Sequence, residues 1–569
     1  MKKRVFALLC IVFVCFSMFL GGCSGSGNNS EDEPNYDEPI DPNRTQLYVG
    51  NYNGGLGARW LWEVKELFEK AHPDIQVKID NDTTGYESTY LEANIATNRQ
   101  DLYFLDRNPY YTFVAKGHFL DISDIVDMPL NKIDPAIDES ETILDKMDTE
   151  LAVFYKNTDN KYYGLPFHNS YHHMIYDMDL FDERNLWFKE GGGFVESEND
   201  TKSVGQDGIP GTYDDGLPVT YSDFFDLLDH MVEKDVIPFT WSGQQKDIYL
   251  PYFLTSVWAD YMGTDEFHVN YSFAGETRLF KDCQFTEPAA GTFTLPKNSI
   301  ETKEIGRGSV LDLVRQPGKY YALKFAKDIM SNRSYFNTLT CMSPSESHTG
   351  AQRTFVQSRV VGDKPIAILI DGNWWISEAE TTMRDMAEEL EDDSWLPENR
   401  NFGVMPIPKA DDGSSASGHT IAPYSSSSLC AISAYTKKEE LAKQFLAFCH
   451  SDEAMRIFTE WTGATRPFDY EYDDILENIR YPYLKNFAKF NADVNYSYAI
   501  VADAEARNVN EVDGYFLYQW AWTSEFGGFD YSNPFNQYWG DHPCTALEYF
   551  AGMKTYQDNN FPDAWPWFE

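Results

Sequence analysis

The chain has 569 residues, with 46 Lys and Arg against 90 Asp and Glu, for a formal net charge of −44. That balance argues against a nucleic-acid binder, because phosphate contacts need clustered cationic side chains. With 42% hydrophobic and 16% aromatic residues the chain can bury sizeable cores, which argues against global disorder, and its length suits several ordinary domains or two large lobes.

Lys2, Lys3 and Arg4 precede a mostly apolar run, Val5 to Leu20. A bilayer span needs about 20 such residues, so residues 1–22 read as a secretory signal rather than a membrane helix. Leu20-Gly21-Gly22-Cys23 resembles a bacterial lipobox, which implies cleavage before Cys23, lipid on that cysteine and tethering outside the cell. Losing Lys2, Lys3 and Arg4 would take the net charge from −44 to −47. No later stretch is long and apolar enough to span a membrane. Cys23 and the residues up to 44 read as a lipidated, flexible tether, too polar to order itself. Cys283, Cys341, Cys430, Cys449 and Cys544 then remain, an odd set with no C-x-x-C pair. At least one is therefore free or intermolecular, and they read mostly as small buried hydrophobes.

The first predicted strand is Gln46 to Gly50, followed by the glycine-rich turn Asn53-Gly54-Gly55-Leu56-Gly57. The turn is not G-x-G-x-x-G and lacks a Walker lysine; it suits a tight strand-to-helix turn that brings backbone close to a ligand. Trp60, Val64, Leu67, Phe68 and Ala71 share one helical face, Pro73 ends the helix, and Ile75, Val77 and Ile79 alternate as a strand. A helix around Leu91 to Thr97 leads into the apolar strand Asp101 to Leu105, ending at Asp106. This βαβαβ rhythm predicts a parallel sheet with ligand groups at the strands' carboxyl ends. Further on, Thr220 to Phe225 opens a helix, and Ile366 to Ile370 is a buried strand running into Asp371-Gly372-Asn373-Trp374-Trp375. Thr436-x-x-Glu439 has the form of a capping box. It precedes a helix with Leu441, Phe445 and Phe448 inward, and a second helix with Met455, Phe458 and Trp461 ends at Gly463.

Two further patterns invite a metal. The Asp207-Gly208 to Asp215-Gly216 loop sets Asp207, Asp214 and Asp215 on glycine-rich turns, which would suit structural Ca²⁺, although EF-hand spacing is absent and such turns are usually solvated loops. His172 and His173 are adjacent, so on a strand they point to opposite faces and make a poor zinc site.

Several of these segments, in order, resemble a family 1 extracellular solute-binding protein of a bacterial ABC importer, the maltose-binding-like group. They are Asn53-Gly54-Gly55 with its helix and the following strand, Asp101 to Asp106, Gly164-Leu165-Pro166 with Ile175 to Phe181, Asp371 to Trp375, Phe402 to Pro408, and the Glu440 to Trp461 helices. The resemblance covers roughly residues 45–185 and 360–470. It implies an α/β, two-lobed periplasmic-binding-protein-like fold of type II, each lobe a sheet flanked by helices. Residues 45–165 with about 418–465 would form the first lobe, and 166–417 with about 466–569 the second. Hinge crossings are expected near Pro166 to His173, near Asp411 to His419 and after Gly463. The lobes would close on a ligand by hinge motion.

The resemblance places an aromatic against the sugar at Trp374 or Trp375, whose alternative role is interlobe core. Asp106 and Arg107, at a strand's carboxyl end, would bridge sugar hydroxyls or each other. Tyr52 and Asn53 flank the glycine turn, Tyr171 lies in the first crossing, and Trp241 follows a short strand; each could instead be ordinary structure. The implied function is a monomeric, lipid-anchored binder on the outer face of the cytoplasmic membrane. It would capture a carbohydrate, an oligosaccharide by its aromatic wealth, and deliver it to permease subunits, with no required cofactor and no catalysis. A sensing lipoprotein is one alternative. A glycoside hydrolase is another, needing two carboxylates about 5–10 Å apart, which 90 acidic residues cannot exclude.

Overall fold

The computed structural model describes residues 38–82, 84–86, 88–105, 110–296, 298–423, 428–479, 481–499, 533–540 and 544–564. Strand β1 (Thr45–Tyr52), helix α1 (Arg59–Ala71), β2 (Ile75–Asp82) and β3 (Leu102–Leu105) follow the predicted rhythm, and helix α2 (Thr149–Tyr155) comes later. Then come β4 (His172–Asp177), β5 (Ile237–Thr240), α3 (Lys246–Met262), α4 (Thr264–Ser272), β6 (Gly275–Phe280), β7 (Ile300–Ile305) and α5 (Pro317–Ser331). The chain continues through β8 (Ile366–Gly372), α6 (Trp375–Leu390), β9 (Phe402–Met405), β10 (His419–Ile421) and β11 (Leu429–Ile432). It closes the first lobe with α7 (Glu439–Phe448) and α8 (Asp452–Thr462), then adds α9 (Pro482–Ala492), β12 (Val494–Tyr496) and α10 (Ala546–Ala564).

The first sheet has the order β11-β3-β1-β2, with β1 parallel to β2 and β3, and β11 antiparallel to β3. The apolar face of α1 covers it: Trp60, Leu61, Val64 and Phe68 are buried. That face is completed from far down the chain. Trp60 meets Phe104 at 5.4 Å and Phe458 at 5.1 Å between ring centroids, and Phe68 meets Phe445 at 5.0 Å. Gly463 ends α8 at φ 64°, a left-handed conformation that suits glycine.

Thr436 does not cap the helix that follows it. Helix α7 starts at Glu439 with Lys438 as its N-terminal flank, and the Thr436 hydroxyl donates to Asp101 Oδ1 at 2.6 Å. Its oxygen accepts the Lys438 N–H at 3.0 Å, short of the helix itself, and the other oxygen of Asp101, at the foot of β3, takes Lys438 Nζ at 3.0 Å.

The second sheet has the order β5-β8-β4-β9, with β5 parallel to β8 and β4 antiparallel to both β8 and β9. Helices α3 and α5 pack together on this lobe, and the β6–β7 antiparallel hairpin is a separate addition. The first crossing runs from Leu165, bridged to Cys430 of the first sheet, to His172 at the start of β4. Asp411 to His419, expected to hold the second crossing, stay with the second lobe. Asp411 accepts the Ser222 and Phe293 N–H groups, and β10 pairs with β12. The Thr420 N–H goes to Asp260 of α3 at 3.0 Å, which keeps β10 there as well.

Cys341, Cys430, Cys449 and Cys544 are free and buried. Burial pushes the Cys430 thiol up to about 12, which suits a packing role rather than a reactive one. Among the described residues no helix is long and apolar enough to cross a membrane.

Candidate ligand cleft

The carboxyl ends of the parallel strands carry the local geometry that can meet a ligand. In the first lobe β1 runs into a turn in which the Gly54 N–H bonds Tyr52 O at 2.8 Å and the Gly57 N–H bonds Gly54 O at 3.0 Å. Gly57 sits at φ 66° and opens α1 two residues later. In the second lobe β8 ends at Gly372, and the antiparallel register sets His172 directly beside it. Asn373 then ties the turn to the first crossing, its N–H donating to Tyr171 O at 3.1 Å and its Nδ2 to Asn169 O at 3.0 Å.

Trp374 stands between the lobes. A Cβ on Gly55 would lie 2.4 Å from its Cδ1, and one on Gly372 would lie 2.2 Å from its Cη2. The indole is therefore nested between a glycine of each lobe. The space left among Tyr52, Gly54, Gly55, Phe167, His168 and Trp374 is only about 20 Å³. A ligand that meets the Trp374 face must find the lobes further apart than this.

Beyond Trp374 lies an aromatic cluster. His172 lies 4.4 Å from Tyr249, 5.6 Å and parallel to Tyr252, and 5.0 Å edge-on to Trp374. Burial holds His172 well below the usual histidine range, so it is a neutral imidazole at physiological pH. Tyr249 and Tyr252 are three residues apart near the start of α3 and so share a face. His172, Tyr249 and Tyr252 are buried and the first two meet the indole edge-on, so they form the packed bed behind Trp374, the partly exposed aromatic face here that could meet the C–H face of a polyol ring.

Behind it, the Asp371 carboxyl is buried, accepting the Gly372 N–H at 2.7 Å and the Gln352 amide at 3.1 Å. Gln352 also donates to Glu378 at 2.5 Å. Burial first, and the Glu378 charge second, push the Asp371 pKa well up. A carboxyl whose pKa is raised on folding favours the native state while protonated and disfavours it as pH rises through the raised value. Asp371→Asn should therefore flatten the fall in stability on the alkaline side, as read by urea unfolding at pH 5 and pH 8.

Of the residues singled out from sequence, Tyr52 and Trp374 line this cleft, and Asn53 is exposed on the turn beside it. Three others are corrected to core positions. Trp375 is 0% exposed, edge-on to Phe402 at 5.1 Å and Phe355 at 5.8 Å, because it begins α6 facing the sheet. Tyr171 is buried with its hydroxyl donating to Asn491 at 2.5 Å. Trp241 is buried against Phe336, its indole N–H donating to Cys341 O at 3.1 Å. Asp106, Arg107 and Cys23 lie outside the described residues.

In the acidic loop the carboxylates serve the backbone. Asp214 accepts the Gln206 and Asp207 N–H groups and the Thr212 hydroxyl, Asp215 the Gly211 N–H, and Asp207 the Ile209 N–H. Among the described residues no group of three His, Cys, Asp or Glu is placed to hold a metal ion. His173 turns away from His172 towards Phe490, at 5.2 Å.

Two α/β lobes joined by crossings, with a site at facing strand ends, define a hinged binding protein of the type II periplasmic class. The chain belongs to the bacterial extracellular solute-binding proteins, which residues 63–479 match. Among solved structures it is similar to the GacH receptor of Streptomyces glaucescens GLA.O, seen unliganded and with acarbose, at 12% identity and a TM-score of 0.51, over 90% of this chain and 98% of that one. It is also similar to a protein from work on xylan utilization by Caldanaerobius polysaccharolyticus, at 14% identity and a TM-score of 0.51, over 90% of this chain and 99% of that one. Apo RafE of Streptococcus pneumoniae matches at 15% identity and a TM-score of 0.48, over 91% of this chain and 100% of that one. No curated protein matches the chain in sequence.

Proposed function

We propose that the protein captures a carbohydrate, an oligosaccharide rather than a single sugar, between its lobes and passes it to an ABC permease in the membrane. A lipid on Cys23 would tether it to the outer face of the cytoplasmic membrane. The observation that carries this reading is the Trp374 indole at the carboxyl end of β8, set directly against the Gly54-Gly55 turn that ends β1 of the other lobe. Family membership supports extracellular solute capture, and the acarbose complex of GacH, which shares the fold, supports a sugar as the solute. Trp374 is an uncharged platform, which favours a neutral ligand. Two other roles would leave that platform the same work: sensing, in which the bound state is reported to another protein, and hydrolysis, in which the sugar is cut.

A thermal-shift screen against neutral and acidic oligosaccharides tests the reading. A sugar at about 100 times its Kd stabilises by about 2.7 kcal/mol, readily seen as a rise in Tm. A rise with the sugar recovered intact supports capture. A product shorter than the sugar added would replace the binder with an enzyme, and no rise with any sugar would overturn the carbohydrate assignment.

A further inference from the structure

Helix α2 belongs to the first lobe: the Tyr155 hydroxyl at its end donates to Ser428 O, next to β11, and the Phe154 carbonyl accepts from Tyr111. Helix α4 belongs to the second, packed on α3 and β6. They meet through one pair of side chains, with His268 Nδ1 2.9 Å from Glu150 Oε1. The Nδ1–H reaches that oxygen at a bent angle, and the contact is an ion pair only while the imidazole is protonated. The other Glu150 oxygen accepts the Tyr498 N–H at 3.1 Å, which fixes the carboxylate in place. Beside the pair runs a groove of about 1040 Å³, whose lining includes Asp145, Asp148, Asp265, Tyr470, Tyr472 and Tyr498. None of these lines the small space around Trp374. The lobes are thus bridged a second time, beside this groove.

We propose that Glu150 and His268 form a pH-gated latch between the lobes, fastened while the imidazole carries its second proton and released when it loses it. Three carboxylates act on His268, Glu150 and Asp148 from α2 and its cap and Asp265 from its own helix, while the cations of the adjoining groove, Lys146 and Arg466, are not among the main influences on it. Glu150 holds the His268 pKa above the usual histidine value, against the opposing effect of burial. A histidine with a raised pKa contributes its stabilisation at low pH and loses it as pH rises through that value. The latch therefore favours the arrangement seen here under mild acid and frees the hinge under mild alkali. This depends on lobe motion alone and not on the identity of the ligand.

Both side chains are about a quarter exposed, so the shift in the ratio of fastened to released molecules should be modest, about two- to five-fold. Small-angle scattering of the ligand-free protein from pH 5.5 to 8.5 reads it directly. The wild type should expand as pH rises. Glu150→Gln and His268→Gln should give the expanded form throughout, and His268→Lys, charged at every pH used, the compact form throughout. A flat wild-type profile, or a wild-type profile retained in His268→Gln, would overturn the latch. Should His268→Gln fail to fold, the same profile retained in Glu150→Gln or His268→Lys overturns it equally.

Discussion

Alanine at position 55 will hold the two lobes apart. A methyl there would lie 2.4 to 2.6 Å from Cδ1, Cβ and Cγ of Trp374, atoms at the root of the side chain that cannot swing clear. The ring has no room to retreat, since its far edge already rests on Gly372. Overpacking of this kind costs about 1–3 kcal/mol. Here the whole penalty falls on the state in which the lobes touch, because a separated Gly55 meets nothing. The expected shift is about 5- to 150-fold towards the open form. It should appear as a larger radius of gyration; because a ligand on the Trp374 face needs the lobes further apart than they are here, affinity for any sugar found in the screen should hold or rise by up to the same factor. Unchanged scattering would mean that Gly55 and Trp374 do not touch in the binding cycle.

The neighbouring tryptophans should separate binding from stability. Trp374→Ala removes the platform and should weaken sugar binding by about 2 kcal/mol or more, roughly thirty-fold in Kd, with little change in Tm. Trp375→Ala empties a site in the core between Phe355 and Phe402 and should cost about 3–5 kcal/mol of stability. Sugar affinity measured below its lowered Tm should stay close to wild type. Calorimetric titration and a melting curve on each variant decide the matter. If Trp375→Ala lost binding while keeping its Tm, the assignment of the two side chains would be reversed.

The sequence already held the means to tell these two apart. Trp375, Ala379, Met383 and Met386 are all buried along α6, at the spacing of one helical face. Trp374 falls one residue before that face begins. The first lobe's strands and α1 were legible because their periodicity is local and strong. The buried cluster of His172, Tyr249 and Tyr252 that backs Trp374 was not, because what unites it is the register of β4 on β8 and the packing of α3, both long-range. A histidine pair reads as a metal question in one dimension and as a stacking partner in three. Thr436 shows the opposite failure: the motif is local, but the helix begins only at Glu439, so the hydroxyl oxygen meets the Lys438 N–H while its proton goes to the distant Asp101. Tyr171 and Trp241 were misplaced for a similar reason. Each lies near a lobe crossing or a strand end, and only the folded path decides whether such a residue faces the cleft or the core.

The interrupted path of the chain has a consequence for when the molecule can fold. The larger core of the second lobe joins Met174 and Phe181 to Tyr549, Phe550 and Met553. Phe280 and Tyr320 find their partner Phe550, at 5.5 and 5.8 Å, only after most of the polypeptide has been made. The first lobe likewise waits for Phe445 and Phe458 to cover α1. Contacts so far apart in sequence form slowly, because a long loop must close before they reward it. A chain emerging amino end first therefore carries an unfinished first lobe until α8 appears and an unfinished second lobe until α10 does. For a polypeptide threaded through a membrane before it folds, that delay is an advantage: the order of its segments keeps it loose for as long as it has to travel.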